Sequence, residues 1–283
     1  LSFGYYAQSQ ARAQEIVLSV QLIEPHELQN ELSTKDLLLV QVTSPQLFDQ
    51  AHLPGAALVT PTELVCGIPP APGKLASTDQ LAALFGRIGY RDGLDIVVYD
   101  DEGGGWAGRF AWTLDCIGHR SWRYLNGGLQ AWHAAGLELE AGTGLQRVVT
   151  DVELTIDAVP IAEIEDVMRA IDDPEQIIWD VRSHEEFVGQ RQSSARVGHI
   201  PTAINLDWMA LKDPSNDMRI TQDIEATLKD LGISGHGPII THCQTHHRSG
   251  LSYMLGRLLG LDIRAYHGSW SEWGNRDDTP IEV

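Results

Sequence analysis

One pattern occurs twice in this chain. The run Leu38-Leu39-Val40-Gln41-Val42-Thr43-Ser44 is followed by Phe48 and by His52-Leu53-Pro54-Gly55-Ala56. It returns as Ile177-Ile178-Trp179-Asp180-Val181-Arg182-Ser183, followed by Phe187 and by His199-Ile200-Pro201-Thr202-Ala203, with a polar insertion around Gly189 to Arg196. Further on, Asp95-Ile96-Val97-Val98-Tyr99-Asp100 matches Pro238-Ile239-Ile240-Thr241-His242-Cys243, and Tyr124 to Trp132 matches Ala265 to Trp273. A repeat of about 140 residues has the size of a domain and not of a solenoid unit. The chain must therefore fold as two similar domains. Its 283 residues are 43% hydrophobic, enough for each copy to bury an ordinary core.

Within each copy, short apolar runs alternate with helical spacing. Strand-like runs occur at residues 37–42, 57–59, 96–99 and 122–125, with helix patterns between them. Such alternation predicts an α/β fold, a mainly parallel sheet with helices on both faces in each domain. We divide the chain into an N-terminal extension (1–16), a first domain (17–145), a linker (146–160) and a second domain (161–283). The extension lacks a basic start, a long apolar core and a small-residue cleavage site, so it does not read as a secretory signal.

Chemistry concentrates in Pro238-Ile239-Ile240-Thr241-His242-Cys243-Gln244-Thr245-His246-His247-Arg248-Ser249-Gly250. A β-type run ends in a cysteine, a polar loop follows, and Leu251, Met254, Leu255, Leu258 and Leu259 then repeat at helical spacing. A cysteine at such a junction faces backbone N–H groups and the positive end of a helix dipole. Both favour thiolate and an anion carried on sulfur. Cysteine phosphatases space their Cys and Arg by one residue more. The shorter loop here predicts a tighter ring, sized for one added sulfur atom and not for a phosphate. At this position the first copy has Asp100, or Asp101 if the gap falls one residue later. Its loop, Asp100-Asp101-Glu102-Gly103-Gly104-Gly105-Trp106, offers no nucleophile and would repel an anion. Where the second copy has Asp180 and Arg182, the first has Gln41 and Thr43.

These features together resemble the two-domain rhodanese sulfurtransferases along nearly the whole chain. Phe48 to Val59 is similar to the family's N-terminal signature and Ala265 to Trp273 to its C-terminal one, with His267 a departure. The loop Cys243-Gln244-Thr245-His246-His247-Arg248-Ser249 is similar to that of the Azotobacter and pseudomonad type. It differs from the loops of animal thiosulfate enzymes and of mercaptopyruvate enzymes. The resemblance implies thiosulfate:cyanide sulfur transfer by double displacement through a Cys243 persulfide, without metal or organic cofactor. The alternatives are 3-mercaptopyruvate as donor, or a persulfide carrier serving protein acceptors.

It also implies site roles. Arg248 meets the donor's sulfonate, or forms a salt bridge with Glu186 that props the loop. Gln244, Thr245 and Ser249 line the anion ring; Thr245 points at the persulfide or braces the loop. His246 and His247 raise the local positive potential or expose donors at the rim. Asp180 and Arg182 brace a strand end, or Arg182 lines the substrate entrance. Trp208 is an apolar wall or simply core. His52 and His199 occur in both copies, including the one without a nucleophile, and read as turn residues.

Charge and cysteine usage bound the rest. A net charge of −19 argues against nucleic acid and anionic membranes, and no apolar run reaches the roughly 18 residues of a membrane span. Three cysteines make no disulfide framework, which suits a reducing cytoplasm, and a duplicated chain suits a monomer. Cys66 and Cys116 are expected to be passive.

Overall fold

The computed structural model describes residues 21–145, 147–235 and 237–283, so the extension expected over residues 1–16 lies outside the described residues. The first half contributes β1 (Gln21–Ile23), α1 (Pro25–Glu31), β2 (Leu37–Val42), α2 (Pro45–Gln50), β3 (Ala57–Val59), α3 (Thr78–Arg87), β4 (Asp95–Tyr99), α4 (Gly105–Cys116), β5 (Trp122–Leu125) and α5 (Gly128–Ala134). Its five strands are all parallel, in the order β1-β5-β4-β2-β3.

The second half repeats this with β6 (Ile161–Ala162), α6 (Ile164–Ile171), β7 (Ile177–Asp180), α7 (His184–Phe187) and β8 (Ile204–Asn205). A hairpin follows, made of β9 (Lys212–Asp213) and β10 (Arg219–Ile220). The half closes with α8 (Ile224–Asp230), β11 (Ile239–His242), α9 (Arg248–Leu258), β12 (Ile263–Tyr266) and α10 (Ser269–Trp273). Its parallel sheet runs β6-β12-β11-β7-β8, the same topology.

The central strands are apolar without alternation because helices cover both of their faces. Leu39 and Val97 pack with Leu28, Phe48 and Trp132 on one side, whereas Leu38, Val40, Ile96 and Val98 pack with Leu84, Phe85 and Phe110 on the other. This second face merges with the equivalent face of the other half, so Phe110 and Trp112 share one core with Leu251, Met254 and Leu255. Helices α4 and α9 meet there in backbone contact. A Cβ on Gly108 would lie 2.2 Å from the Gly250 carbonyl oxygen, and one on Gly250 would lie 2.4 Å from the Arg109 nitrogen. Only glycine permits that approach.

The segment expected as a linker is packed along the first half. Thr150 N–H donates to Gly86 at 3.0 Å and Asp157 N–H to Cys116 at 2.7 Å, while Val152, Leu154 and Ile156 cover the shared core. His52 and His199 occupy matching turns. Each Nδ1 bonds a carbonyl of the preceding helix, Phe48 at 2.8 Å and Phe187 at 2.9 Å, and each ring stacks on that phenylalanine. Their position explains their recurrence in both halves.

Candidate active site

Strand β11 is buried throughout and ends at His242, so the chain leaves the sheet at its carboxyl edge, where open α/β sheets place their ligands. Cys243 opens the loop, and α9 begins five residues later at Arg248. Cys243 is only 1% exposed. Burial alone pushes its thiol up. The Arg248 charge, the Ser249 hydroxyl and N–H, and His247 outweigh that penalty and hold the thiol below its ordinary value. The Ser249 hydroxyl donates to Sγ at 3.5 Å.

Arg248 is held in a fork. Its Nη1 donates to Glu186 Oε2 at 2.6 Å and its Nη2 to Glu186 Oε1 at 3.0 Å. Of the two roles expected for Arg248, the structure shows the ion pair with Glu186. Burial works against both charges, yet the pairing holds the guanidinium above its ordinary value and the carboxyl below its own. Glu186 is aimed by local sequence: Ser183 and Glu186 form the capping box of α7, with Ser183 N–H donating to Oε2 at 3.1 Å.

Beneath the loop lies a second, deeper cluster. Arg182 donates to Asp180 through Nε at 3.0 Å and Nη2 at 2.6 Å, donates to the Gly198 carbonyl at 2.8 Å, and lies over the Trp270 ring at 4.2 Å. Both side chains are fully buried. The expectation that Arg182 binds substrate is thereby corrected, because a guanidinium enclosed by Asp180, Gly198 and Trp270 cannot line an entrance. Burial, reinforced by Arg182, also keeps His242 below its ordinary value, although Asp180 Oδ2 lies 3.7 Å away.

The loop residues divide by direction. The Gln244 amide turns away from Sγ and binds the insertion, accepting from Ser193 Oγ at 2.7 Å and donating to Ser193 O at 3.0 Å. Thr245 is half-buried, with its carbonyl against Gly73 of the first half. His246 was expected as a cation or a rim donor, and both expectations are corrected. Its ring is fully buried, edge-on to Trp112 at 4.5 Å, and burial together with Arg109 drives it well below its ordinary value. It is a neutral partner for Ser249, with Nδ1 at 2.8 Å from Oγ. Because Ser249 donates to the sulfur, Nδ1 carries the proton. His247 alone of the pair is partly exposed, stacked on Trp106 at 4.4 Å. Trp208 is a half-buried wall, 5.6 Å from His247 and capped by Lys212 Nζ at 3.4 Å from the ring centre. Among the described residues, no group of three His, Cys, Asp or Glu side chains is placed to hold a metal ion.

Sequence reasoning missed Arg109, Glu102, Trp106 and Lys212. Arg109, buried in α4, donates to Gly73 and Leu64 carbonyls at 2.7 Å each and to the His246 carbonyl at 3.4 Å, bracing the loop from the other half. Burial pulls it down to about 10. An arginine in the middle of the run Gly105-Trp106-Ala107-Gly108-Arg109-Phe110-Ala111-Trp112 was the available signal, since such a residue needs several buried acceptors.

The structure is thus a duplicated parallel α/β fold in which a buried thiol at a strand-to-helix loop is held below its ordinary value. The chain belongs to the rhodanese family: a rhodanese-like domain matches residues 24–135 and again residues 163–276. It is 45% identical to a thiosulfate sulfurtransferase of Azotobacter vinelandii over 267 residues, 93% of this chain and 97% of that protein. The identity to a thiosulfate sulfurtransferase of Pseudomonas aeruginosa is also 45%, over 263 residues and the same shares of the two chains. The crystal structure of YnjE superposes with a TM-score of 0.83 at 22% identity, covering 93% of this chain and 68% of the other, a likeness of fold.

Proposed function

We propose that this protein is a thiosulfate sulfurtransferase in which Cys243 carries sulfur by double displacement. The observation that carries the reading is a deeply buried thiol held below its ordinary value by Arg248, Ser249 and His247. The 45% identity to two thiosulfate sulfurtransferases supports the donor. In the first step the Cys243 thiolate attacks the outer sulfur of thiosulfate. The sulfur–sulfur bond breaks, sulfite leaves with the bonding pair, and a persulfide remains. In the second, cyanide or a thiol attacks the terminal sulfur and the thiolate departs. No net oxidation occurs, so neither step needs a redox partner.

Arg248, fixed by Glu186, supplies a stationary positive charge for the incoming dianion and for the terminal sulfur. Ser249 donates to the sulfur, His246 orients Ser249, and Gln244 ties the loop to the insertion. Thr245 braces the loop against the first half. His247 and Trp208 form the wall of the cleft, while Asp180 and Arg182 support the strand end. Residues 161–283 form the catalytic domain on this reading, residues 17–145 a domain without a nucleophile, and residues 146–160 the segment that joins them. The three cysteines, all free thiols, suit a reducing cytoplasm, and the duplicated chain suits a monomer.

The test is thiocyanate formation from cyanide with thiosulfate and 3-mercaptopyruvate compared on one preparation. Preference for thiosulfate is expected. Preference for mercaptopyruvate would overturn the donor assignment and leave the nucleophile standing. Silence with both, with added sulfur on Cys243 by mass spectrometry, would make the protein a persulfide carrier for protein acceptors.

A further inference from the structure

The acidic loop of the first half carries no nucleophile, yet one of its carboxylates reaches the Cys243 loop of the second half. Glu102 Oε1 contacts Nε2 of His247 across the boundary between the halves and accepts the Trp106 N–H at 3.2 Å. The His247 ring is stacked on Trp106 of the first half, 4.4 Å between centres and 19° between planes, and faces Trp208 of the second at 5.6 Å. Lys212, from the hairpin of the second half, donates to the Glu102 carbonyl at 2.5 Å while its Nζ caps Trp208. The first half is shaped to allow this. A Cβ on Gly105 would stand 2.5 Å from Glu102 Oε1 and 2.7 Å from His247 Nε2, so any larger residue would push the pair apart.

We propose that Glu102 is a positioning residue for sulfur transfer: it holds His247 in one orientation at the wall of the cleft beside Cys243. The inference rests on the sulfurtransferase reading above. A carboxylate only accepts, so Nε2 of the held ring carries a proton and the ring cannot swing freely. His247 is among the groups that favour the Cys243 thiolate. Its distance from the sulfur therefore matters to catalysis, and Glu102 fixes that distance from the far half. Pairing with His247 and contact with Lys212 also offset the Glu102 charge, which would otherwise face an anionic donor.

Two roles for Glu102 predict opposite signs. An acid that merely repels the donor would be better removed, and Glu102→Met would raise kcat/KM for thiosulfate. A positioning acid predicts that Glu102→Met lowers kcat/KM about tenfold, mostly through KM. Its effect should vanish in a His247→Gln background, so that the double variant matches His247→Gln within about twofold. A raised or unchanged kcat/KM, or losses that multiply in the double variant, would overturn the proposal, even if the melting temperature fell. Nitrogen-15 NMR of the His247 ring supplies a readout independent of turnover. A proton held on Nε2 is expected in the wild type and averaged ring signals in Glu102→Met. That change in an enzyme silent toward thiosulfate would reject the thiosulfate reading while upholding the Glu102–His247 device. Active wild type with identical ring signals in both proteins would reject the device alone.

Discussion

The loop after β4 and the loop after β11 leave equivalent strands at equivalent places, since Gln41 pairs with Tyr99 as Asp180 pairs with His242. This register makes Asp100, and not Asp101, the counterpart of Cys243. In the first loop Asp100 is fully buried and turns back into its own ring of amides. It accepts N–H bonds from Glu102 at 3.2 Å, Gly103 at 3.0 Å, Gly104 at 2.8 Å and Ala107 at 2.9 Å. In the second loop that place belongs to a thiol, and Ser249 supplies the donors. The difference teaches that an amide-lined loop takes whichever anion the chain offers. A carboxylate fills the ring permanently, whereas a sulfur leaves a place for one transferable atom. The strand ends beneath differ in the same sense. Neutral Tyr99 donates to Gln41 at 2.9 Å under the first loop, while Asp180, Arg182 and His242 stand under the second. The expected repulsion from three acids is therefore weaker than the sequence implies, because Asp100 faces inward and Glu102 faces His247.

The largest expected effect separates the two loops outright. Cys243→Ala should abolish thiocyanate formation, by at least about 10³-fold. Residual turnover near wild type would place the nucleophile elsewhere. The charged base of the second loop comes next. Asp180→Ala leaves Arg182 buried without its partner and should cost about 3–5 kcal/mol in chemical denaturation. The neutral counterpart Gln41→Ala should cost only about 1–3 kcal/mol. Equal losses would erase the distinction between the two bases.

Arg248→Gln should lower kcat/KM for thiosulfate by about 10- to 100-fold and move the acid limb of the pH–rate profile upward. The sign follows from losing the cation that holds the thiol down. An unmoved limb would remove Arg248 from thiolate stabilisation. For the first loop the pH test has its own sign. Burial, with Glu102 adding to it, pushes the Asp100 carboxyl up to about 6 against its backbone N–H bonds. A group raised in the folded state contributes stability that is complete below its unfolded value and lost as pH rises through the folded one. The stability advantage of wild type over Asp100→Asn should therefore shrink between about pH 4 and pH 6 and stay level above. A gap that widens over this range would reverse the assignment. The smallest effect concerns the remaining thiols: Cys66→Ala and Cys116→Ala should leave kcat/KM within about twofold of wild type. Cys116 is core, and its thiol is pushed well up by burial.

Much of this was legible in the residues. Apolar runs of strand length and the spacing of Leu251, Met254 and Leu255 report burial, which is a local property of the pattern. The matched runs reveal the duplication, and the duplication aligns Asp100 with Cys243. Ser183 and Glu186, three apart, announce the capping box that aims Glu186 at Arg248. What remained hidden was direction. Nothing in the spacing of Cys243-Gln244-Thr245-His246-His247-Arg248 states that His246 turns into the core while His247 turns to the cleft. His246 adopts a φ of 55°, a left-handed conformation that no periodicity encodes. The same holds for Arg182, whose orientation depends on Trp270 and Gly198.

By itself, then, the sequence determined two parallel α/β domains and a cysteine at the end of β11 where the first half has an acid. Only the tertiary structure decided which distant groups complete the site. Arg109 reaches the His246 carbonyl from 137 residues away, and Glu102 meets His247 across 145. Those separations are set by the backbone contact of Gly108 with Gly250 and by the core the two halves share. Hydrophobic patterning specifies that such faces are buried. How they dock is decided by the collective packing of many side chains, and that information exists only in the folded molecule.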